Sequence, residues 1–221
     1  MSATIAQLLI DIRAVHYYDT EPFRFTSGVL SPVYVDCRKL ISFPKERNII
    51  IATALETISS MPGGLPDIIA GGETAGIPYA AFIADRLQLP MIYVRKKSKE
   101  FGRKFRIEGI LEKGARVLLV EDLIFDSQSK LSFAQAIRDA GGVIDSTLVV
   151  FEYGQSHART QLAAAGLKLL SLATWEDLLT LTVGSGLFSD SQANIVRNFL
   201  ADPAGWLAKL DAVTLPRDEH P

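Results

Sequence analysis

One cysteine, Cys37, stands in a chain of 221 residues. A lone thiol excludes a disulfide framework within the chain and any metal centre built on several cysteines. No stretch approaches the roughly 18–20 uninterrupted apolar residues of a membrane span. The opening MSATIAQLLIDIRAVHYYD lacks a basic n-region, and Asp11 and Arg13 interrupt its apolar pattern. It reads as an amphipathic helix, not a signal peptide. An excess of one charge is also missing, because 23 Lys and Arg stand against 25 Asp and Glu. A non-specific nucleic-acid binder carries a basic excess that this chain lacks. His16, His157 and His220 show no metal-ligand spacing. Neither G-x-x-x-x-G-K-[ST] nor a G-x-G-x-x-G after a strand occurs, so neither a P-loop nucleotidase nor a dinucleotide fold is supported. The expectation is a soluble cytoplasmic protein with no membrane or nucleic-acid partner.

What is present is an alternation of strand-like and helix-like segments. With 48% apolar residues the chain can bury one sizeable core. Residues 3–16 read as a helix. FRFTSGVLSPVYVDCRK reads as a short antiparallel hairpin around SG and SP turn signals. PKERNIIIATALETISS is helical, with Pro44 suited to a first turn. DIIAGG, PMIYVRK, ARVLLVED, VIDSTLVVFEY and KLLSLA read as strands. GIPYAAFIADRLQL, KLSFAQAIRDAGG and HARTQLAAAGLK read as the helices between them, and WEDLLTLTV, SDSQANIVRNFLAD and PAGWLAKL as helices that follow. KKSKEFGRKFRIEG is too polar for core and reads as a long mobile loop. The pattern predicts an α/β fold, a parallel sheet flanked by helices.

Three chemically loaded stretches fall at predicted strand ends, where ligands bind in such sheets. In EDLIFDSQSK, ionised Glu121 and Asp122 could accept hydrogen bonds from a sugar diol. The loop and helix start after them offer N–H donors to a phosphate, with Ser127 and Ser129 adding hydroxyls. In GGETAGIP, Gly71 and Gly72 permit unusual backbone, and a helix N-terminus near Gly76 presents unpaired N–H groups. Four lysines and three arginines lie from Arg95 to Arg106. A basic loop beside two anion-friendly turns could close over a polyphosphate and exclude water. Each stretch alone is also explained by an ordinary solvated loop or tight turn. Together they describe one ligand with several phosphates and a ribose.

The acid pair after an apolar strand, followed by a short loop and a helix, resembles the diphosphoribosyl-binding motif of type I phosphoribosyltransferases. FRFTSGVLSPVYVDCRK, GGETAGIPYA, YVRKKSKEFG, IEGIL and VLLVEDLI occur in the order found in orotate phosphoribosyltransferases, over roughly residues 20–150. That resemblance implies a single phosphoribosyltransferase domain over 1–221, with a small hood subdomain from about 1–40 and part of the C-terminus. It implies transfer of 5-phosphoribosyl from phosphoribosyl diphosphate to orotate, with Mg2+ bound through the substrate diphosphate and ribose hydroxyls. It also implies a homodimer whose basic loop is shared in trans. Carried over by position, Glu121 and Asp122 hold the ribose hydroxyls, and Leu123, Ile124, Phe125, Asp126, Ser127, Gln128 and Ser129 wrap the 5-phosphate. Glu73 and Thr74 lie near the diphosphate. Arg95, Lys96 and Lys99 contact it, with Lys99 and Asp122 the catalytic candidates. Thr26 borders the orotate pocket.

The resemblance breaks at three places. The family's threonines and glycines after the acid pair are here Phe125, Asp126, Ser127 and Gln128. Glycine eases backbone approach to a phosphate, so Ser127 and Gln128 are expected to carry a conformational cost. Phe101 stands where the mobile loop commonly has His, and Tyr153 is the nearest match to an orotate-contacting Arg. Two other readings share the fold. One is a non-catalytic regulator that binds phosphoribosyl diphosphate, favoured by the altered loop, although no helix-turn-helix is visible. The other is a transferase for another base, which the SGVLSPVYVD hairpin argues against.

Overall fold

The computed structural model describes residues 2–18, 20–25, 27–97 and 106–214, without the side chains of 210–214. Helix α1 (Ser2–Asp11) is followed by β1 (Val15–Tyr17), β2 (Phe23–Arg24), β3 (Leu30–Ser31) and β4 (Val33–Val35). A 3-10 turn (Cys37–Ser42) leads into α2 (Pro44–Ser59), β5 (Ile68–Gly72), α3 (Gly76–Leu87), β6 (Met91–Val94) and β7 (Ile107–Glu108). Then come β8 (Arg116–Ile124), α4 (Gln128–Asp139), β9 (Val143–Glu152), α5 (Ser156–Ala164) and β10 (Lys168–Thr174). Helices α6 (Trp175–Gly184), α7 (Asp190–Ala201) and α8 (Pro203–Thr214) follow.

Among the described residues the main sheet runs β10-β9-β8-β5-β6-β7, parallel except for β7. Strand β8 explains its own apolar run. Leu118 and Val120 enter one core cluster, with Ile69, Tyr79 and Ala80. Val117 and Leu119 enter the other, with Ile68, Ala70, Phe133 and Ile137. Side chains of a strand alternate faces, so a strand covered on both faces must be apolar at every position. From β5 the chain crosses to β6 on one side, and from β8 it crosses to β9 on the other. The gap between the carboxyl ends of β5 and β8 is therefore the topological switch point, where α/β sheets bind ligands.

Two expectations change in the N-terminal region. The first helix ends at Asp11, not at residue 16. Arg13 takes a left-handed φ of 54°, and the Ala14 N–H donates to the Leu9 carbonyl at 2.8 Å. No Gly or Pro marks that stop, so the pattern hid it. Residues 15–17 become β1, which pairs antiparallel with β4. The expected single hairpin is two ribbons. β2 and β3 pair around Gly28, whose φ is 87°. Pro32, which has no N–H to donate, separates β3 from β4. The end of β1 meets the late part of the chain through Tyr17 against Phe188, between α6 and α7, and Tyr18 against Trp206 of α8.

The basic segment is also shorter as a loop than expected. Ile107 and Glu108 form β7, paired antiparallel with Val94 and Tyr93. Arg106 pins its base by donating to the Arg95 carbonyl at 2.6 Å and the Ser132 carbonyl at 3.1 Å. Residues 98–105, including Lys99 and Phe101, lie outside the described residues.

Leu118 is fully buried at the centre of the sheet. Leu118→Ala is expected to destabilise the fold by about 2–5 kcal/mol, read from the midpoint of urea unfolding at unchanged slope.

Candidate functional site

The switch point is floored by glycine, and the reason is space. A Cβ on Gly72 would lie 2.3 Å from Glu121 Oε1, and one on Gly76 would lie 2.3 Å from the Val120 carbonyl oxygen. Neither glycine has a positive φ. The GGETAG turn thus lets the carboxyl end of β8 and its first acid press against β5 and α3. The Glu73 carboxylate accepts the Lys96 N–H at 2.7 Å, which ties this turn to the end of β6. Thr74 and Lys96 open onto the same cleft, of about 780 Å³.

Glu121 and Asp122 extend the alternation of β8, so these neighbours point to opposite faces of the sheet. Glu121 turns toward α4 and is 6% exposed. Its Oε2 lies 3.2 Å from the Lys130 ammonium. Asp122 turns toward the other face, where its charge acts on Tyr34 and Cys37 and on Tyr79 of α3. Burial pushes both carboxyls above the ordinary range, and Lys130 pulls each part of the way back. Both carboxylates reach the cleft. The site therefore stores two poorly hydrated acceptors at the point where a bound diol would supply donors.

The loop after them is closed without strain. No residue from 123 to 129 takes a positive φ, and Ser127 sits at φ −86°, ψ −11°. The expected conformational cost of replacing glycine does not arise in this conformation. Ser127 is fully buried and its hydroxyl donates to Gln161 Oε1, so it neither caps α4 nor faces the cleft. Asp126 instead accepts the Gln128 N–H at 3.0 Å. Phe125, 8% exposed, packs against Phe25 at 4.7 Å, Tyr153 at 5.5 Å and Phe199 at 5.9 Å between ring centroids.

Of the residues singled out from sequence, Glu73, Thr74, Lys96, Glu121, Asp122, Leu123, Phe125, Asp126, Gln128 and Ser129 line this one cleft. Ile124, Ser127, Arg95 and Tyr153 do not. Ile124 is core. Arg95 turns away to Glu108 at 3.7 Å. Tyr153, matched to a base-contacting position, is 1% exposed, and its hydroxyl accepts the Val35 N–H at 3.1 Å. It braces the hood from beneath and does not face the cleft. Thr26, Lys99 and Phe101 fall outside the described residues.

The chain has relatives among known proteins. No protein-family model matches the chain. An orotate phosphoribosyltransferase of Jannaschia sp. is 49% identical over 93% of this chain and 91% of its own. The chain belongs to the orotate phosphoribosyltransferase family. A second such protein, from Sinorhizobium medicae, is 44% identical over 95% of this chain and 91% of its own. Among solved structures, Aeropyrum pernix orotate phosphoribosyltransferase superposes with a TM-score of 0.71 at 29% identity, covering 84% of this chain and 99% of that one. Leishmania donovani UMP synthase gives a TM-score of 0.79 at 28% identity, covering 90% of this chain. This chain spans only 42% of that one.

Sequence reasoning expected the hairpin around residues 26–28 to border the pocket, and Ser27 does line the cleft, but it gave no role to the aromatic and arginine side chains beside it or to one buried cation. Phe23, Arg24, Phe25, Tyr34 and Arg38 line the cleft opposite the acids. Arg38 donates to Tyr34 Oη at 2.6 Å and to Asp36 Oδ1 at 2.9 Å. Lys130 is 5% exposed. The signal for it was present, because Lys130, Phe133, Ala134 and Ile137 share the buried face of α4 at helical spacing.

A carboxyl with a raised folded-state pKa favours folding at low pH and loses that contribution as pH rises through the folded value. Asp122→Asn is therefore expected to raise the Tm of the ligand-free protein at pH 8. The gain should shrink as pH falls toward about 4, where the unfolded carboxyl also protonates. Thermal unfolding across that range checks the sign, and a gain that is flat with pH would refute it. Phe125→Ala, which empties the middle of the aromatic cluster, is expected to cost about 3–5 kcal/mol in denaturant unfolding.

Proposed function

We propose that the chain transfers 5-phosphoribosyl from phosphoribosyl diphosphate to orotate, yielding orotidine 5′-monophosphate and diphosphate in pyrimidine biosynthesis. The observation that carries this reading is the acid pair at the switch point, which opens both carboxylates onto a cleft also lined by Arg24, Arg38, Lys96 and Lys130 and by Phe23, Phe25 and Tyr34. Family membership points the same way. A Mycobacterium tuberculosis orotate phosphoribosyltransferase, 25% identical with a TM-score of 0.61, was solved with 5-phospho-α-D-ribosyl 1-diphosphate.

In this reading Glu121 and Asp122 accept hydrogen bonds from the ribose hydroxyls. The first turn of α4, with Gln128 and Ser129, takes the 5-phosphate on backbone N–H groups. The Glu73–Thr74 turn and Lys96 flank the diphosphate, and Lys99 reaches it from the basic segment of a second subunit in a homodimer. Orotate lies against Phe23 and Tyr34, with Arg38 facing its carboxylate. The bond from the anomeric carbon to diphosphate breaks as the bond to the orotate ring nitrogen forms, through a cationic, oxocarbenium-like centre. Catalysis rests on preorganised charge and positioning, and no side-chain nucleophile is needed.

A magnesium ion carried by the substrate fits this cleft. Such ions bind through substrate phosphates and few carboxylates, keeping several waters. Among the described residues no cluster of three or more His, Cys, Asp or Glu forms a closed metal site. The diphosphate and ribose hydroxyls would hold the ion, with Asp122 gripping those hydroxyls. When bound it neutralises charge on the leaving group. No described helix is long and apolar enough to cross a membrane. We place the protein in the cytoplasm.

The test is direct. Purified protein with orotate, phosphoribosyl diphosphate and magnesium is expected to consume orotate, followed by its absorbance. Binding of phosphoribosyl diphosphate in calorimetry without turnover would refute the transferase reading.

A further inference from the structure

Lys130 borders the cleft but is only 5% exposed, and its ammonium is engaged by the protein itself. Its ammonium lies 2.6 Å from the Leu123 carbonyl oxygen, 3.2 Å from Ser129 Oγ and 3.2 Å from Glu121 Oε2. An ammonium has three donors. All three are directed at protein acceptors, two on β8 and one at the start of α4. The lysine stem lies on the buried face of α4 with Phe133 and Ala134. Glu121 is held equally tightly. Its Oε1 occupies the space that a side chain on Gly72 or Gly76 would need, at 2.3 and 2.7 Å from their ideal Cβ positions. Its Oε2 faces Lys130. The other charges acting on Glu121 are Asp122, next along β8, and Lys96, after β6.

We propose that Lys130 is a positioning residue, which fixes the Glu121 carboxylate and the Leu123 carbonyl and holds no substrate phosphate itself. The proposal rests on phosphoribosyl diphosphate being the substrate. Its physical basis is the cost of a buried unpaired charge. A carboxylate on glycine backbone with no counter-ion either protonates or rearranges, and both outcomes remove an acceptor meant for the ribose. Lys130 also joins the acid that takes the ribose to the helix that takes the 5-phosphate. The two grips on one substrate thereby keep a fixed separation.

A double-mutant cycle tests this. Binding of phosphoribosyl diphosphate is measured by calorimetry for the unmodified protein, Lys130→Met, Glu121→Gln and the double variant, with thermal unfolding in parallel. Lys130→Met is expected to raise Kd about tenfold when Glu121 is present and less than about twofold when Gln stands at 121, a coupling typical of contacting residues. In steady state the same substitution should raise KM for phosphoribosyl diphosphate and leave KM for orotate unchanged. Equal losses in both backgrounds would mean that Lys130 touches the substrate anion directly, and would overturn the proposal. No loss in either background, or both KM values rising together, would overturn it too. If Lys130→Met unfolds while the double variant folds, the coupling is shown by stability. If both unfold, the lysine is a structural residue and the proposal fails. An unmodified protein that turns over substrates but fails the cycle sinks only the role of Lys130. One that does not bind phosphoribosyl diphosphate removes the functional reading, and this proposal with it.

Discussion

The pleat of one strand governs this site. Strand β8 is buried on both faces from Val117 to Val120, and the same alternation continues into Glu121 and Asp122. Two adjacent acids at this point cannot share a face. One is delivered to the α4 side, where Lys130 meets it, and one to the opposite face, near Tyr34, Cys37 and Tyr79. Mutual repulsion is reduced by that divergence, and each acid meets its own surroundings. Burial keeps both carboxyls short of hydration, so a ligand bringing hydroxyl donors gains more from them than from carboxylates in water. The glycine floor at Gly72 and Gly76 follows from the same constraint, since any side chain there would displace Glu121 or the backbone of β8.

Much of this was legible in the sequence because the sheet speaks in two simple periods. VLLVED, DIIAGG and VIDSTLVVFEY are apolar runs of strand length, and each became a central strand. The cleft at their carboxyl ends follows from topology alone. What was not legible depended on contacts between distant residues. Residues 15–17 form a strand because β4, up to twenty residues away, offers them a partner, and no Gly or Pro marks where α1 stops. Ser127 reads as a hydroxyl donor in the loop, yet its partner is Gln161 on another helix. Tyr153 reads as a pocket residue by position, yet it lies beneath Val35. Lys130 was the one missed residue with a local signature, a lysine on the apolar stripe of its helix.

The substituted loop fits the same picture. Phe125 stands where a small hydroxylated residue is usual in the family, and it is not left facing solvent. It joins Phe25 from the hood and Phe199 from α7, and Phe199 in turn packs edge-on against Trp206. A loop ordinarily shaped by glycine is here held by rings. At the start of α4 the Gln128 N–H is engaged by the Asp126 carboxylate.

That row of rings also sets a schedule. Phe25, Phe125, Phe199 and Trp206 come from positions spread along nearly the whole chain, and the wall they make is complete only when the last of them is in place. Contacts of such long sequence separation form late, because the loops they close carry the largest entropy. During synthesis the sheet, its glycine floor and both acids leave the ribosome well before α7 does. The aromatic wall of the cleft is therefore among the last parts of the molecule to be completed, although the acid pair is made far earlier.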